Sequence, residues 1–301
     1  MKACILIIII MIFMVQPLYA IKSASVHNEQ VIVHYDESLH KVAEEILRIY
    51  PDVKQDIENT FQAEIDFRPT VKLIKNRAAF KGISGRDEIV AVAFSKRDLI
   101  VIDDSRMKTR PFSLEVTLKH ELCHLFLHHY VGNKGLPKWL NEGTSQWVSD
   151  GIAEIMVGEN RNLLKQAILS GRQIPINDLS DRFPEDERSL LLAYEESKSI
   201  VEYILKEHDI SGILQILNNL KRGDNPDKAI FNALSVSVDE LEKRWIDSLK
   251  KRITWLTYLG SYHYQIIFLF AALLLIYGYI RFLIKKWNYR DEEEDIEEEQ
   301  S

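Results

Sequence analysis

The sequence predicts an α+β fold: a small N-terminal mixed β-sheet packed on a helix, a helical lobe after it, and one transmembrane helix near the C-terminus. Three observations predict it. Short runs rich in β-branched residues, some with period-two alternation, occur only ahead of Asp104 in the body of the chain. From Phe112 onward apolar residues recur at helical spacing. The stretch Ile253–Ile280 contains no Asp, Glu, Lys or Arg.

Taken in order, the chain opens with Lys2 and the apolar run Ala3–Val15, then Pro17 and Leu18-Tyr19-Ala20. This is a signal-peptide pattern over residues 1–20. The alternative is an uncleaved anchor, for which the run is short. Either way Ile21–Arg252 is expected outside the cytoplasm. Gln30–Tyr35 alternates and reads as a strand. His40–Phe61 places Val42, Ile46, Ile49, Val53, Ile57 and Phe61 at helical spacing, and Pro51 predicts a kink or two helices there. Thr70–Ile74 is a second strand. Ile89–Phe94 and Asp98–Asp103 form a hairpin around Ser95-Lys96-Arg97. Helices are expected over about Ser113–Tyr130, Pro137–Ile155, Glu187–Lys206, Ser211–Leu220 and Val238–Trp255, with Gly132-Asn133-Lys134-Gly135 separating the first two. Pro175–Pro184 reads as a loop.

The charge-free stretch exceeds the roughly 20 residues that cross a hydrocarbon core. Trp255, Tyr258, Tyr262 and Tyr264 crowd one end, and Tyr277, Tyr279, Trp287 and Tyr289 the other. Arg281, Lys285, Lys286 and Arg290 follow, and basic flanks mark the cytoplasmic side. The expectation is a single pass over 253–283 in a cell membrane, with residues 284–301 in the cytoplasm. No long Gly/Ser or Pro linker precedes it, so the exported domain should sit close to the bilayer.

The net charge of −7 is concentrated in Asp291–Glu299, which carries eight carboxylates; without them the chain is at +1. Nothing in that balance favours nucleic acid. The tail reads as a solvated like-charge block, with docking of a cytoplasmic partner as the alternative. Cys4 lies in the leader, which leaves Cys123 alone in 21–252 and rules out an intramolecular disulfide there.

The chemistry is carried by His120-Glu121-Leu122-Cys123-His124. Four residues make slightly more than one helical turn, so His120 and His124 share a face and can bind one zinc ion, with Glu121 in reach of a water on that ion. The pentapeptide also occurs in helices whose histidines are plain surface or core groups. A catalytic zinc takes three protein ligands and keeps one position open. Leu136–Gly143 opens the next helix behind a glycine-containing turn. Two helices joined so can pack side by side, which would bring Glu142 to the ion and complete a His₂Glu set.

HELCH plus WLNEG, with 17 residues between His124 and Glu142, resembles the gluzincin zinc metallopeptidases. These include thermolysin-like and aminopeptidase N-like enzymes; the closest likeness is to the smaller peptidase MA-like domains. Thr70–Ile74 followed by Arg77-Ala78-Ala79-Phe80, the hairpin, and Ala193-Tyr194-Glu195-Glu196-Ser197 followed by Ile200-Val201-Glu202-Tyr203 extend the resemblance over roughly Val26–Trp255. The zinc motif is its specific part. The resemblance implies His120, His124 and Glu142 as zinc ligands and Glu121 as the catalytic acid/base. It also implies an oxyanion-stabilising group from a later helix. Tyr194 is the first candidate, with a core aromatic as the plainer reading, and Tyr203 and His208 come after it.

Two departures matter. Where thermolysin-like enzymes place an Asp four residues past the ligand Glu, this chain has Gln146; Ser145 or Asp150 are the candidate substitutes for holding a histidine. No G-x-M-E-N motif occurs, so the resemblance implies an endopeptidase rather than an aminopeptidase. Cys123 reads as a small core residue, His128 and His129 as helix-surface or supporting groups, Trp139 and Trp147 as packing. Leu140 and Asn141 are expected to shape the helix start. Val90–Phe94 is expected at a sheet edge, where an extended peptide can add as a strand. The function this predicts is a membrane-anchored zinc endopeptidase acting on exported or envelope proteins. Two alternatives stand beside it: an inactive binding module of the same fold, and a structural zinc closed by Cys123 or His128.

Overall fold

A computed structural model describes residues 23–87, 89–107, 112–132, 135–150 and 163–298. Side chains are described up to residue 254 of these, and at 265, 267–283 and 285. The leader read over 1–20 lies outside them. Contacts divide the chain into two compact units, Met1–Trp245 and Ile246–Ser301.

In the first unit five strands form one mixed sheet. They are β1 (Ser23–His27), β2 (Ile32–Asp36), β3 (Thr70–Ile74), β4 (Ala91–Phe94) and β5 (Leu99–Asp103), in the order β1-β2-β3-β5-β4. The β1/β2 and β4/β5 pairs are antiparallel, while β2/β3 and β3/β5 are parallel. β5, between β3 and β4, buries Ile100, Val101 and Ile102 in succession, which is the continuous apolar run of a strand covered on both faces, and ends on buried Asp103. β4 is an edge strand, as expected.

Helix α1 (His40–Phe61) buries Ala43, Ile46, Ile49, Tyr50, Val53, Ile57 and Phe61 along one stripe. Of the kink or two helices expected at Pro51, two separate helices do not occur: α1 continues through it as one helix. The buried stripe continues on both sides of Pro51, and that packing outweighs the single backbone hydrogen bond a proline removes. Helix α2 (Arg77–Ser84) covers the hairpin with Phe80, which packs against Ile89 and Val101. Arg77 bonds Asp103 at 2.8 Å and the Ile89 carbonyl at 2.8 Å, tying the start of β4 to the end of β5.

The helical lobe consists of α3 (Leu114–Val131), α4 (Lys138–Ser149), α5 (Leu163–Ser170), α6 (Glu187–Arg222) and α7 (Pro226–Leu234), joined by the start of α8 (Val238–Glu298). The two helices predicted over 187–220 are α6, broken at Asp209, whose φ of 53° and ψ of −168° are not helical. The loop Pro175–Pro184 holds one helical turn, Asp178–Asp181. β1, α5 and α7 were not legible beforehand; each is short, with too few turns or alternations to establish a period. In α8, Trp245 is fully buried and donates to Ser199 Oγ at 3.0 Å.

Among the described residues no helix is long and apolar enough to cross a membrane. The transmembrane helix predicted over 253–283 therefore finds no support here. The side chains of 255–264 lie outside the described set, and the remaining apolar row is shorter than the roughly 20 residues a span requires.

Candidate metal centre

Helix α3 starts where Ser113 Oγ accepts the Val116 N–H at 3.5 Å and stops at Gly132, whose φ of 73° and N–H to His128 O (2.8 Å) end the turn. Between those ends it is buried on nearly every side, with Leu118, Leu122, Leu125 and Leu127 fully enclosed. It is a core helix that carries polar groups inward. His120 and Glu121 are 0% exposed and His124 is 6% exposed. Enclosing three such groups is costly unless they are mutually satisfied or hold an ion.

The His120 and His124 rings meet edge to face at 88°, and their Nε2 atoms are 3.0 Å apart. Two imidazole lone pairs cannot face each other so closely unless a proton or a cation lies between them. Glu142, on the neighbouring helix α4, brings Oε2 to 3.4 Å from His124 Nε2. The three ligand atoms lie within 4.8 Å of one another. Zinc bonds of 2.0–2.1 Å in tetrahedral geometry place ligand atoms about 3.4 Å apart. Two nitrogens and one carboxylate oxygen at this spacing suit a small divalent ion.

Glu142 arrives there because α4 crosses α6 closely. A Cβ on Gly143 would stand 2.2 Å from the Ser197 carbonyl oxygen and 2.8 Å from Val201 Cγ2. Only glycine allows this approach, and it sets the depth of the adjacent Glu142.

The other nitrogen of His124, Nδ1, lies 3.0 Å from Asn141 Oδ1 and 3.1 Å from Ser145 Oγ. Of the two expected substitutes for the missing Asp, Ser145 reaches a histidine. Asp150 is exposed and ends α4 in a left-handed conformation. Gln146 turns away and donates to the Tyr194 carbonyl at 3.3 Å. Asn141 is a contact the sequence reading missed; its place one residue before Glu142, on the first turn of α4, was the available signal.

The remaining candidates separate clearly. Cys123 is fully buried and does not join the cluster in which His120, His124 and Glu142 bring their ligand atoms together. His128 is held below its ordinary value by burial. His129 bonds Asp98 at 2.6 Å and stacks on Phe67 at 4.0 Å, tying the end of α3 to the hairpin turn. Neither His128 nor His129 joins the ligand cluster. Trp139 is fully buried packing. Tyr194 is 8% exposed, with its ring set edge-on to Phe183 at 5.0 Å. The ion-sized cluster draws its ligands from α3 and α4.

Residues 87–251 match the profile of the Peptidase MA superfamily. The chain belongs to that superfamily. The matched span begins just ahead of β4 and takes in both helices of the ligand cluster. Among solved structures this Peptidase MA chain is similar to the M1 zinc metallopeptidase of Deinococcus radiodurans, at 14% identity and a TM-score of 0.38. That alignment covers 74% of this chain and 51% of the other. A point variant of the same enzyme, with Tyr-Ser-Ala substrate bound, matches at 12% identity and a TM-score of 0.37, covering 75% and 51%. The chain thus spans about half the length of these enzymes. No curated protein matches it. The superfamily assignment rests on the match over 87–251, not on these distant structures.

Proposed function

We propose that the chain is a zinc-dependent endopeptidase, anchored in a membrane by the segment 253–283. The observation that carries the peptidase reading is the convergence of His120, His124 and Glu142 within 4.8 Å, with Glu121 buried on the same helix. In this reading those three hold the zinc. Zinc bound there supplies a Lewis acid and lowers the pKa of a coordinated water to about 7. Glu121 is the general base: it takes a proton from the attacking water and returns it to the leaving amine. Tyr194 donates its hydroxyl to the developing oxyanion. The edge strand β4 offers free main-chain groups to an extended peptide, which favours cleavage within chains.

The anchoring reading draws on the charge-free stretch and on the exposed row from Ile267 to Phe282, where large apolar side chains stand 50–77% open. A catalytic unit joined to it without a long linker would act on exported or envelope proteins near the bilayer.

The test uses the full chain in detergent. The expected result is about one zinc per chain, cleavage at interior bonds of internally quenched peptides, and a Glu121→Gln variant that keeps its zinc but loses 10²–10⁴-fold in kcat. Wild-type rates in that variant would remove Glu121 from the mechanism. An absence of zinc in the wild type would overturn the whole reading.

A further inference from the structure

His124 is gripped by one helix at both of its nitrogens. Glu142 approaches Nε2, while Asn141 and Ser145, one turn apart on α4, flank Nδ1. A neutral imidazole has one N–H donor and one lone pair. Asn141 Oδ1 accepts, so the proton belongs on Nδ1 and the lone pair on Nε2 faces the ligand cluster. One acceptor fixes the tautomer but leaves the ring able to swing about that contact. The second contact removes the swing.

Ser145 is itself enclosed, at 0% exposure, so water does not compete for its hydroxyl. A serine hydroxyl can accept the imidazole N–H at the 3.1 Å observed here. Ser149, one turn further along α4, does something different: it donates to the Gln146 carbonyl at 3.2 Å.

We propose that Ser145 is a positioning residue of the metal centre: its hydroxyl, beside Asn141 Oδ1, locks the His124 ring so that Nε2 faces His120 and Glu142. This rests on the zinc reading above.

Partners that orient a metal-binding histidine typically contribute 10–100-fold in metal affinity. The experiment measures the zinc Kd of the full chain in detergent by competition with a chelating dye, alongside the melting temperature of the metal-free protein. Ser145→Ala is expected to weaken zinc binding by about 10–100-fold and to shift the visible absorption of the cobalt(II)-loaded protein. Its metal-free melting temperature should stay near wild type. Ser145→Thr, which keeps the hydroxyl, should restore most of the affinity. Ser149→Ala is the control for loss of a buried hydroxyl from α4 and should leave Kd unchanged. A wild-type Kd and cobalt spectrum in Ser145→Ala would overturn the proposal, as would equal weakening in Ser149→Ala. A wild-type chain that binds no zinc overturns the metal reading itself, and the proposal with it.

Discussion

Two buried glutamates in this chain are held for opposite ends. Glu142 sits 3.4 Å from His124 Nε2 and completes an ion-sized cluster. Truncating it to Ala removes the only carboxylate of that cluster, so zinc content of the purified variant should fall well below one per chain in elemental analysis. Glu196, on α6, is fully buried, and its carboxyl takes the Ile174 N–H at 3.1–3.2 Å. Burial, helped by the nearby Glu242 and Glu195 and opposed by the Ile174 N–H, pushes it up to about 8 from an ordinary 4.5. Glu242 in turn takes the Ile176 N–H at 2.8 Å, so two carboxyls fasten one extended segment. The folded chain keeps a proton on Glu196 that the unfolded chain releases between about pH 4.5 and 8. The stability tied to that proton is present at low pH and is lost as pH rises through this window, on the order of a few kcal/mol. Glu196→Gln keeps the neutral group at every pH. Its melting temperature should therefore exceed wild type by several degrees at pH 9 and converge with it at pH 5. Parallel melting curves across that range would show that Glu196 carries no such proton.

At the level of elements, two contacts decide what the site can do. The first is the crossing of α4 and α6 at Gly143. An added methyl meets the Ser197 carbonyl at 2.2 Å, and that backbone cannot step aside without moving α6. Gly143→Ala should cost about 1–3 kcal/mol in chemical denaturation, and it should weaken zinc binding by displacing Glu142. Unaltered zinc affinity would mean that α4 holds Glu142 independently of α6. The second is the edge position of β4, whose Ala93 faces Ile100 in the ladder. Proline there removes a main-chain donor from the strand proposed to receive substrate. Peptide cleavage by Ala93→Pro is expected to show a KM raised about tenfold or more with kcat little changed; an unaltered KM would take β4 out of substrate binding.

For the whole molecule, the question is what residues 253–283 do. The described part exposes Phe268, Leu275 and Tyr279 along a helix, more contiguous apolar surface than a chain surrounded by water normally shows. If this segment is the anchor, the full chain will stay with phospholipid vesicles through an alkaline carbonate wash, and a chain ending at Arg252 will wash free. Release of the full chain would overturn the anchor and leave the peptidase reading untouched.

The architecture class and the three residues of the candidate metal cluster were legible in local sequence patterns. His120, Glu121 and His124 are close in the chain, and a helix places residues four apart on one face whatever surrounds it. The alternation in β2 and the hairpin of β4 and β5 are likewise local patterns. Glu142 was legible because a glycine-containing turn between two helices leaves few ways to pack them. The tertiary structure alone decided the rest. It kept α1 one helix across Pro51, because a buried stripe on both sides outweighed a local penalty. It turned Gln146 toward α6 and gave His124 to Asn141 and Ser145, because which face of α4 meets α3 depends on the depth that Gly143 allows. Contacts of that kind join residues distant in sequence, and only the packed chain specifies their partners.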